Sequence, residues 1–232
     1  MGSVVLYNVI FALTGLAVSP FMTALIKRYS REEKIIDKDF FNDVKFDWKV
    51  ALVTSLLIIL LLYFFGVSEK FFLYSILSII LTMEAFVDIK AKILPNSLNF
   101  AGFLIGIVYT YITCIRDIYA GLDLLLGMIT GAGVFLLIAL FALIVYRREG
   151  MGLGDVKLMG MLGLFFGFTN IIQIFILSFF VAAVISIILL ATKIKKTTDY
   201  IAFGPFIVIA TVVTMIIPAS KSIEYLMTVM HK

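Results

Sequence analysis

Two aspartates sit where an acid is costly to place. Asp155 follows a glycine-rich stretch in GMGLGDVKL, residues 150–158, between two long apolar runs. Asp88 closes another apolar run in EAFVDIKAKILPN, residues 84–96. Acids at membrane depth face a cavity, a partner or a site more often than lipid. Two carboxylates that share one small site cannot easily both ionise, so one proton is held between them. Such a pair can draw a proton from water and pass one to a leaving amine, which is general acid–base hydrolysis of a peptide bond. That chemistry needs no cofactor. The chain has one cysteine, Cys114, and one histidine, His231, so neither an intrachain disulfide nor a Cys/His metal cluster can be assembled.

The elements that would carry the acids are membrane helices. Of 232 residues, 62% are hydrophobic and 15% charged, with a mean hydropathy of +1.14. A soluble domain has roughly 45–50% apolar and about 25% charged residues. Eight apolar runs are candidate spans: 4–26, 50–67, 71–87, 98–115, 120–146, 158–170, 171–192 and 201–217. The first is too long for a signal-peptide core, has no basic region before it, and reads as a retained helix. Backbone in lipid must satisfy its own hydrogen bonds, and these runs do not alternate as barrel strands do, so the fold class is all-α. The sixth and seventh runs are separated only by Asn170 and Gln173, which allows a single bent element as an alternative.

Lysine and arginine counts orient the chain. Loops 27–49, 88–97, 147–157 and 193–200 together carry fifteen, and the opposite side carries only Lys70, Arg116, Lys221 and Lys232. The expectation is a bundle of about eight transmembrane helices with both termini outside and the basic loops in the cytoplasm. Merging the sixth and seventh runs would worsen that asymmetry. The net charge of +4 is spread over these loops, which gives no reason to expect a nucleic-acid partner. Residues 1–232 read as a single membrane-embedded domain. Segment 27–49, with seven basic and six acidic residues, is a short cytoplasmic loop or interfacial helix, too small for its own core.

By this topology Asp88 and Asp155 lie at the same membrane face. Gly152 and Gly154 lack side chains, so an extended peptide could lie against their backbone beside Asp155. The plainer alternative is a flexible turn whose acid is solvated and paired with Lys157 or Arg148. Glu84 precedes Asp88 by four residues and shares its helix face; it could meet a basic peptide, influence Asp88, or bond to a neighbouring helix. Pro95 would shape the exit from the Asp88 segment, Asp123 reads as a solvated interfacial acid, and Cys114 as a small apolar filler. The pairs Gly102/Gly106, Gly127/Gly131 and Gly163/Gly167 have the spacing that lets membrane helices approach closely.

Taken together, GMGLGDVKL and VDIKAKILPN resemble the GxGD and earlier aspartate motifs of the type IV prepilin peptidases, which are membrane aspartyl proteases. FGPF at 203–206 is similar to the start of that family's last span, so the likeness covers most of residues 80–210. The resemblance implies that Asp88 and Asp155 are the catalytic pair, with Gly152, Gly154, Lys157, Glu84 and Pro95 as residues that bind substrate or shape the site. It implies prepilin or pseudopilin substrates, cut between a basic leader and an apolar segment at the cytoplasmic face of the inner or plasma membrane. Presenilin-like proteases share GxGD, but their Pro-Ala-Leu motif is not found near this C-terminus.

Many family members also methylate the new N-terminus with S-adenosylmethionine. Their motif near the end of the first span is partly kept in SPFMTALIKR: Ser19, Phe21, Ile26 and Arg28 match, and Thr23 replaces the usual asparagine. The two CxxC pairs of such members are missing, which argues against zinc and leaves the methyltransferase alternative open. Outside this family, paired acids and broken helices also suit a proton-coupled transporter, whose acids would be expected nearer the bilayer midplane. A noncatalytic assembly protein of a pilus or secretion machine is the third class.

Overall fold

The computed structural model describes residues 2–31, 33, 39–147, 152–194 and 201–230. The described residues form helices and connecting turns, without a strand. The chain divides into two compact units, Met1–Ile93 and Leu94–Lys232.

In the first unit α1 (Gly2–Ser30) packs on α3 (Trp48–Phe65), and α4 (Glu69–Ala91) packs on both. Each helix end has a local cause. Asp47 accepts the Lys49 N–H at 2.9 Å to start α3, and Ser68 accepts the Phe71 N–H at 3.2 Å to start α4. Gly66, at φ 57°, ends α3 in a conformation that suits glycine. The buried side chains Met22, Ile26, Leu61, Phe71, Leu77 and Leu81 form this unit's core. α1 and α3 meet closely at Gly15, where an added methyl would lie 2.6 Å from the Ser55 hydroxyl.

Within segment 27–49, expected as a short cytoplasmic loop or interfacial helix, the structure has the helix α2 (Phe40–Asp43). It is fastened to the end of α1 by its last residue. Asp43 bonds Lys27 through one oxygen and accepts from Arg28 Nε through the other at 3.0 Å. The Arg28 guanidinium also lies over the Phe40 ring, 5.5 Å from its centre. Lys34 and Lys38 of this loop lie outside the described residues, as do Arg148, Gly150, Lys195, Lys196, His231 and Lys232.

In the second unit α5 (Asn96–Arg116) and α6 (Ile118–Tyr146) are joined through Asp117 alone. Its N–H bonds the Thr113 carbonyl at 2.7 Å, and its carboxylate accepts the N–H groups of Tyr119 and Ala120. One residue therefore ends α5 and caps α6. Cys114 packs against Gly121 across that turn.

The 39-residue α7 (Leu153–Ala191) is interrupted at Gly167, with φ 74° and ψ −179°. That region of backbone space is essentially closed to other residues. The chain reverses there. A methyl group added to Gly131 would run into both the Met159 carbonyl and the Ile171 side chain. In a straight helix those two residues would be about 18 Å apart. On Gly127 an added methyl would meet the Gly163 carbonyl oxygen at 2.6 Å and Gly167 Cα at 2.7 Å. Residues 153–166 and 168–191 thus run back to back along α6, with backbone contact where glycines face one another. The expected small-residue spacing is used for packing here, and again on α5. Gly102 faces Met161 and Gly106 faces Leu164, while the Thr110 hydroxyl bonds the Leu164 carbonyl at 3.1 Å.

The break between the sixth and seventh runs therefore falls at Gly167, not at the polar residues Asn170 and Gln173. Those two tie down the chain's last part. Gln173 Nε2 donates to the Ile217 carbonyl at 2.8 Å, and Asn170 Oδ1 accepts the Ala219 N–H at 2.9 Å. They hold the corner between α8 (Gly204–Ile216) and α9 (Ala219–Met230), which bends by 71°. Among the described residues, five helices are long and apolar enough to cross a membrane, and a sixth is counted if the bent pair is one span. With the reversal in α7 and the 29 residues of α1, each of the eight expected segments has a helical counterpart.

Candidate active site

Asp88 and Glu84 occupy the last two turns of α4, four residues apart on one face. Both are buried, at 4% and 0% exposure. α4 stops just beyond them. Lys92 takes the left-handed conformation, φ 58° and ψ 33°, and its N–H bonds the Asp88 carbonyl at 2.8 Å. Pro95 follows with φ −65° and ψ 125°, cannot continue the helix, and begins α5.

Asp155 lies in the first turn of α7 and is 6% exposed. Gly152, the residue before the helix, accepts the Asp155 N–H at 3.1 Å. A methyl on Gly152 would sit 3.5 Å from Asp155 Oδ2, the nearest atom among the described residues. The missing side chain therefore leaves room on that side of the carboxylate. Gly154 is different. An added methyl there would be 2.8 Å from Leu94 Cβ, so its space is filled by Leu94. Of the two glycines expected to admit a peptide, Gly152 keeps room and Gly154 serves packing.

Lys157 Nζ bonds the Asn96 side-chain oxygen at 2.6 Å and forms no ion pair among the described residues. Leu94 on Gly154 and Asn96 on Lys157 grip the start of α7 on either side of Asp155, with the buried Pro95 between them. Pro95 of the Leu-Pro-Asn stretch is the residue expected to shape the exit from the Asp88 segment, and the stretch leads into α5. It also docks onto the Gly-Asp segment, a pairing that neither motif discloses by itself. Asp88 belongs to the first unit and Asp155 to the second.

Asp123 is exposed, as an interfacial acid should be, yet it has a structural task. Its carboxylate accepts the Phe168 N–H at 3.3 Å and caps the helix that restarts after Gly167. Among the described residues, no three His, Cys, Asp or Glu side chains converge as metal ligands. The FGPF stretch opens α8, where Phe203 packs on Phe179 at 5.1 Å and on Phe206 at 6.0 Å between ring centres.

A family model described as the type IV leader peptidase family matches residues 71–187, a range that holds both aspartates. A protein named prepilin leader peptidase/N-methyltransferase from Xanthomonas campestris pv. campestris is 31% identical over 163 residues, covering 69% of this chain and 55% of that protein. One of the same name from Legionella pneumophila is 29% identical over 180 residues, covering 75% and 60%. Another, from Escherichia coli, is 24% identical over 149 residues, covering 64% and 63%. The chain thus spans between 55% and 63% of the length of these three relatives. No solved structure matches it.

Proposed function

The chain belongs to the type IV leader peptidase family, and from that premise we propose that residues 1–232 act as one membrane aspartyl endopeptidase. Its substrates are prepilins or pseudopilins, from which it removes a short basic leader. Asp88 and Asp155 are the catalytic pair. The observation that carries this reading is the grip of Leu94 and Asn96 on either side of Asp155. Leu94 lies six positions after Asp88 in sequence, so the Leu-Pro-Asn part of the earlier motif is what meets the Gly-Asp stretch.

In the proposed reaction one carboxylate is ionised and takes a proton from water as the oxygen attacks the scissile carbonyl. The other, protonated, donates a hydrogen bond to the carbonyl oxygen. Proton return to the nitrogen then breaks the C–N bond, giving a carboxylate on the leader and a free amine on the mature segment. No acyl-enzyme forms. Gly152 supplies room for substrate backbone beside Asp155, and Glu84 lines the same face of α4 as Asp88. The uneven distribution of lysine and arginine supports a cytoplasmic active face in the inner or plasma membrane. A basic leader would then stay in the cytoplasm while the apolar segment stays in lipid.

The relatives' second activity would draw on S-adenosylmethionine. Of the residues that match the corresponding motif, Ser19 is buried with its hydroxyl on the Leu16 carbonyl, and Arg28 is engaged by Asp43 and Phe40. These contacts give both residues structural work in the first unit, and the proteolytic reading needs no cofactor. The test is cleavage of a prepilin by the full chain in membranes, with Asp88→Asn and Asp155→Asn made separately. Each is expected to lower the rate by 10²-fold or more, about the contribution of one general acid or base. Full processing by either variant would remove that residue from the pair.

A further inference from the structure

A groove of about 780 Å³ runs among α5, α6 and the first half of α7, within the size range of ligand sites. Phe100, Phe103, Met128 and Ile129 form its apolar walls, and Val156 and Gly160 line it from α7. Val156 and Lys157 both contribute, so the groove begins at the residue that follows Asp155. Asn99 also lines it, from α5. That side chain is 4% exposed, and neither its carboxamide nitrogen nor its oxygen has a hydrogen-bond partner among the described residues. The large majority of buried side-chain amides in native proteins are paired, because a stranded donor or acceptor forfeits its bonds to water. Gly102 and Leu98, to either side in sequence, are fully engaged in packing, so the polar position interrupts an otherwise apolar stretch.

We propose that this groove holds the apolar residues that follow the scissile bond, with Asn99 hydrogen-bonded to their main chain. The proposal rests on the peptidase reading above. An extended peptide offers N–H and C=O together, which matches both halves of a carboxamide; an acyl chain offers neither. The apolar walls suit the side chains of a segment destined for lipid. Val156, Lys157 and Gly160 follow Asp155 on α7, so the groove leads from the acid into an apolar span, where a segment destined for lipid would lie. Asn99 is thus a positioning residue for substrate, not a catalytic one.

The experiment uses the full chain in detergent with a synthetic peptide comprising a basic leader and the first apolar residues of a pilin. In Asn99→Leu, KM is expected to rise about tenfold while kcat changes by less than threefold, with the melting temperature equal to or above that of the parent. Independently, p-benzoylphenylalanine in place of Phe103, in an Asp155→Asn background, is expected to cross-link the peptide at residues after the scissile bond. The same photoprobe at the exposed Phe141 of α6 is the control and should capture none. Unchanged KM in Asn99→Leu, or cross-links to lipid alone at Phe103, would overturn the proposal while leaving the peptidase reading intact. If the parent enzyme does not cleave the peptide, the peptidase reading falls and takes the groove assignment with it. A misfolded Asn99→Leu leaves the decision to the cross-link.

Discussion

The Asp123 carboxylate accepts the Phe168 backbone N–H across 45 positions of sequence, and this bond caps the helix that leaves the reversal at Gly167. Loss of a capping side chain costs about 1 kcal/mol, and asparagine caps as well as aspartate. Asp123→Ala should therefore lower the thermal unfolding temperature of the detergent-solubilised chain, and Asp123→Asn should leave it near the parent value. Equal loss in both variants would mean that charge, not the cap, is what Asp123 contributes.

Gly167→Ala should be more damaging than either. The backbone conformation there costs on the order of 1–3 kcal/mol for any side chain, and the added methyl collides with the Asp123 carboxylate. Gly133 gives the contrast. It lies inside α6 with nothing within 4 Å of an added methyl among the described residues, so Gly133→Ala should be neutral or stabilising by up to about 1 kcal/mol. Unfolding midpoints of the two variants, measured side by side, are expected to move in opposite directions or to differ by more than about 1 kcal/mol.

Substitution at the two glycines before Asp155 should separate folding from activity. Gly152→Ala places its methyl at an ordinary contact distance, 3.5 Å from Asp155 Oδ2, so the fold is retained while prepilin cleavage falls. Gly154→Ala forces Leu94 aside and should reduce stability together with activity. Cleavage rate and melting temperature on the same preparations test this. Full activity in Gly152→Ala would show that substrate does not use the room beside that carboxylate.

The clasp at Asp43 should respond to acid. The Lys27 hydrogen bond holds the Asp43 carboxyl below the usual aspartate range, against the opposing effect of desolvation, and Arg28 adds to the lowering. A carboxylate whose folded value is depressed stabilises the fold above its unfolded value of about 3.9, and that contribution is lost as pH falls through the folded value. Backbone amides of residues 40–43 should be protected from hydrogen exchange at pH 7. After correction for intrinsic rates, they should lose protection below about pH 4. Asp43→Asn should lack both the protection and its pH dependence. High salt should weaken the parent's protection, since Lys27 is partly exposed.

Apolar run length made the helices legible, because a bilayer leaves the backbone few options. The positions of Asp88, Asp155 and the Leu-Pro-Asn turn were legible as spacing and motif. The sequence points to Asn170 and Gln173 for the reversal because they form the obvious polar break. The turn needs the one residue type that tolerates φ 74° beside a close neighbour, and that residue also fits an ordinary helix-packing pattern. For Gly154 and Lys157 the sequence suggests a substrate or an acid as the neighbour. Their partners, Leu94 and Asn96, are 60 or so positions away, and no local periodicity reports such a pairing. The 45 positions between Asp123 and Phe168 conceal the cap in the same way. Asn99 drew no notice because one asparagine in an apolar run becomes informative only when its missing partners can be counted.

The glycine contacts along α6 have a mechanical consequence for Asp155. Backbone touches backbone at Gly127 and Gly163, and Gly131 meets the Met159 carbonyl one turn nearer the acid. Only the last turn, about 6 Å at 1.5 Å per residue, overhangs this clamp. With Leu94 and Asn96 holding that turn from the other side, Asp155 sits on a short beam supported at both ends, and such beams are stiff.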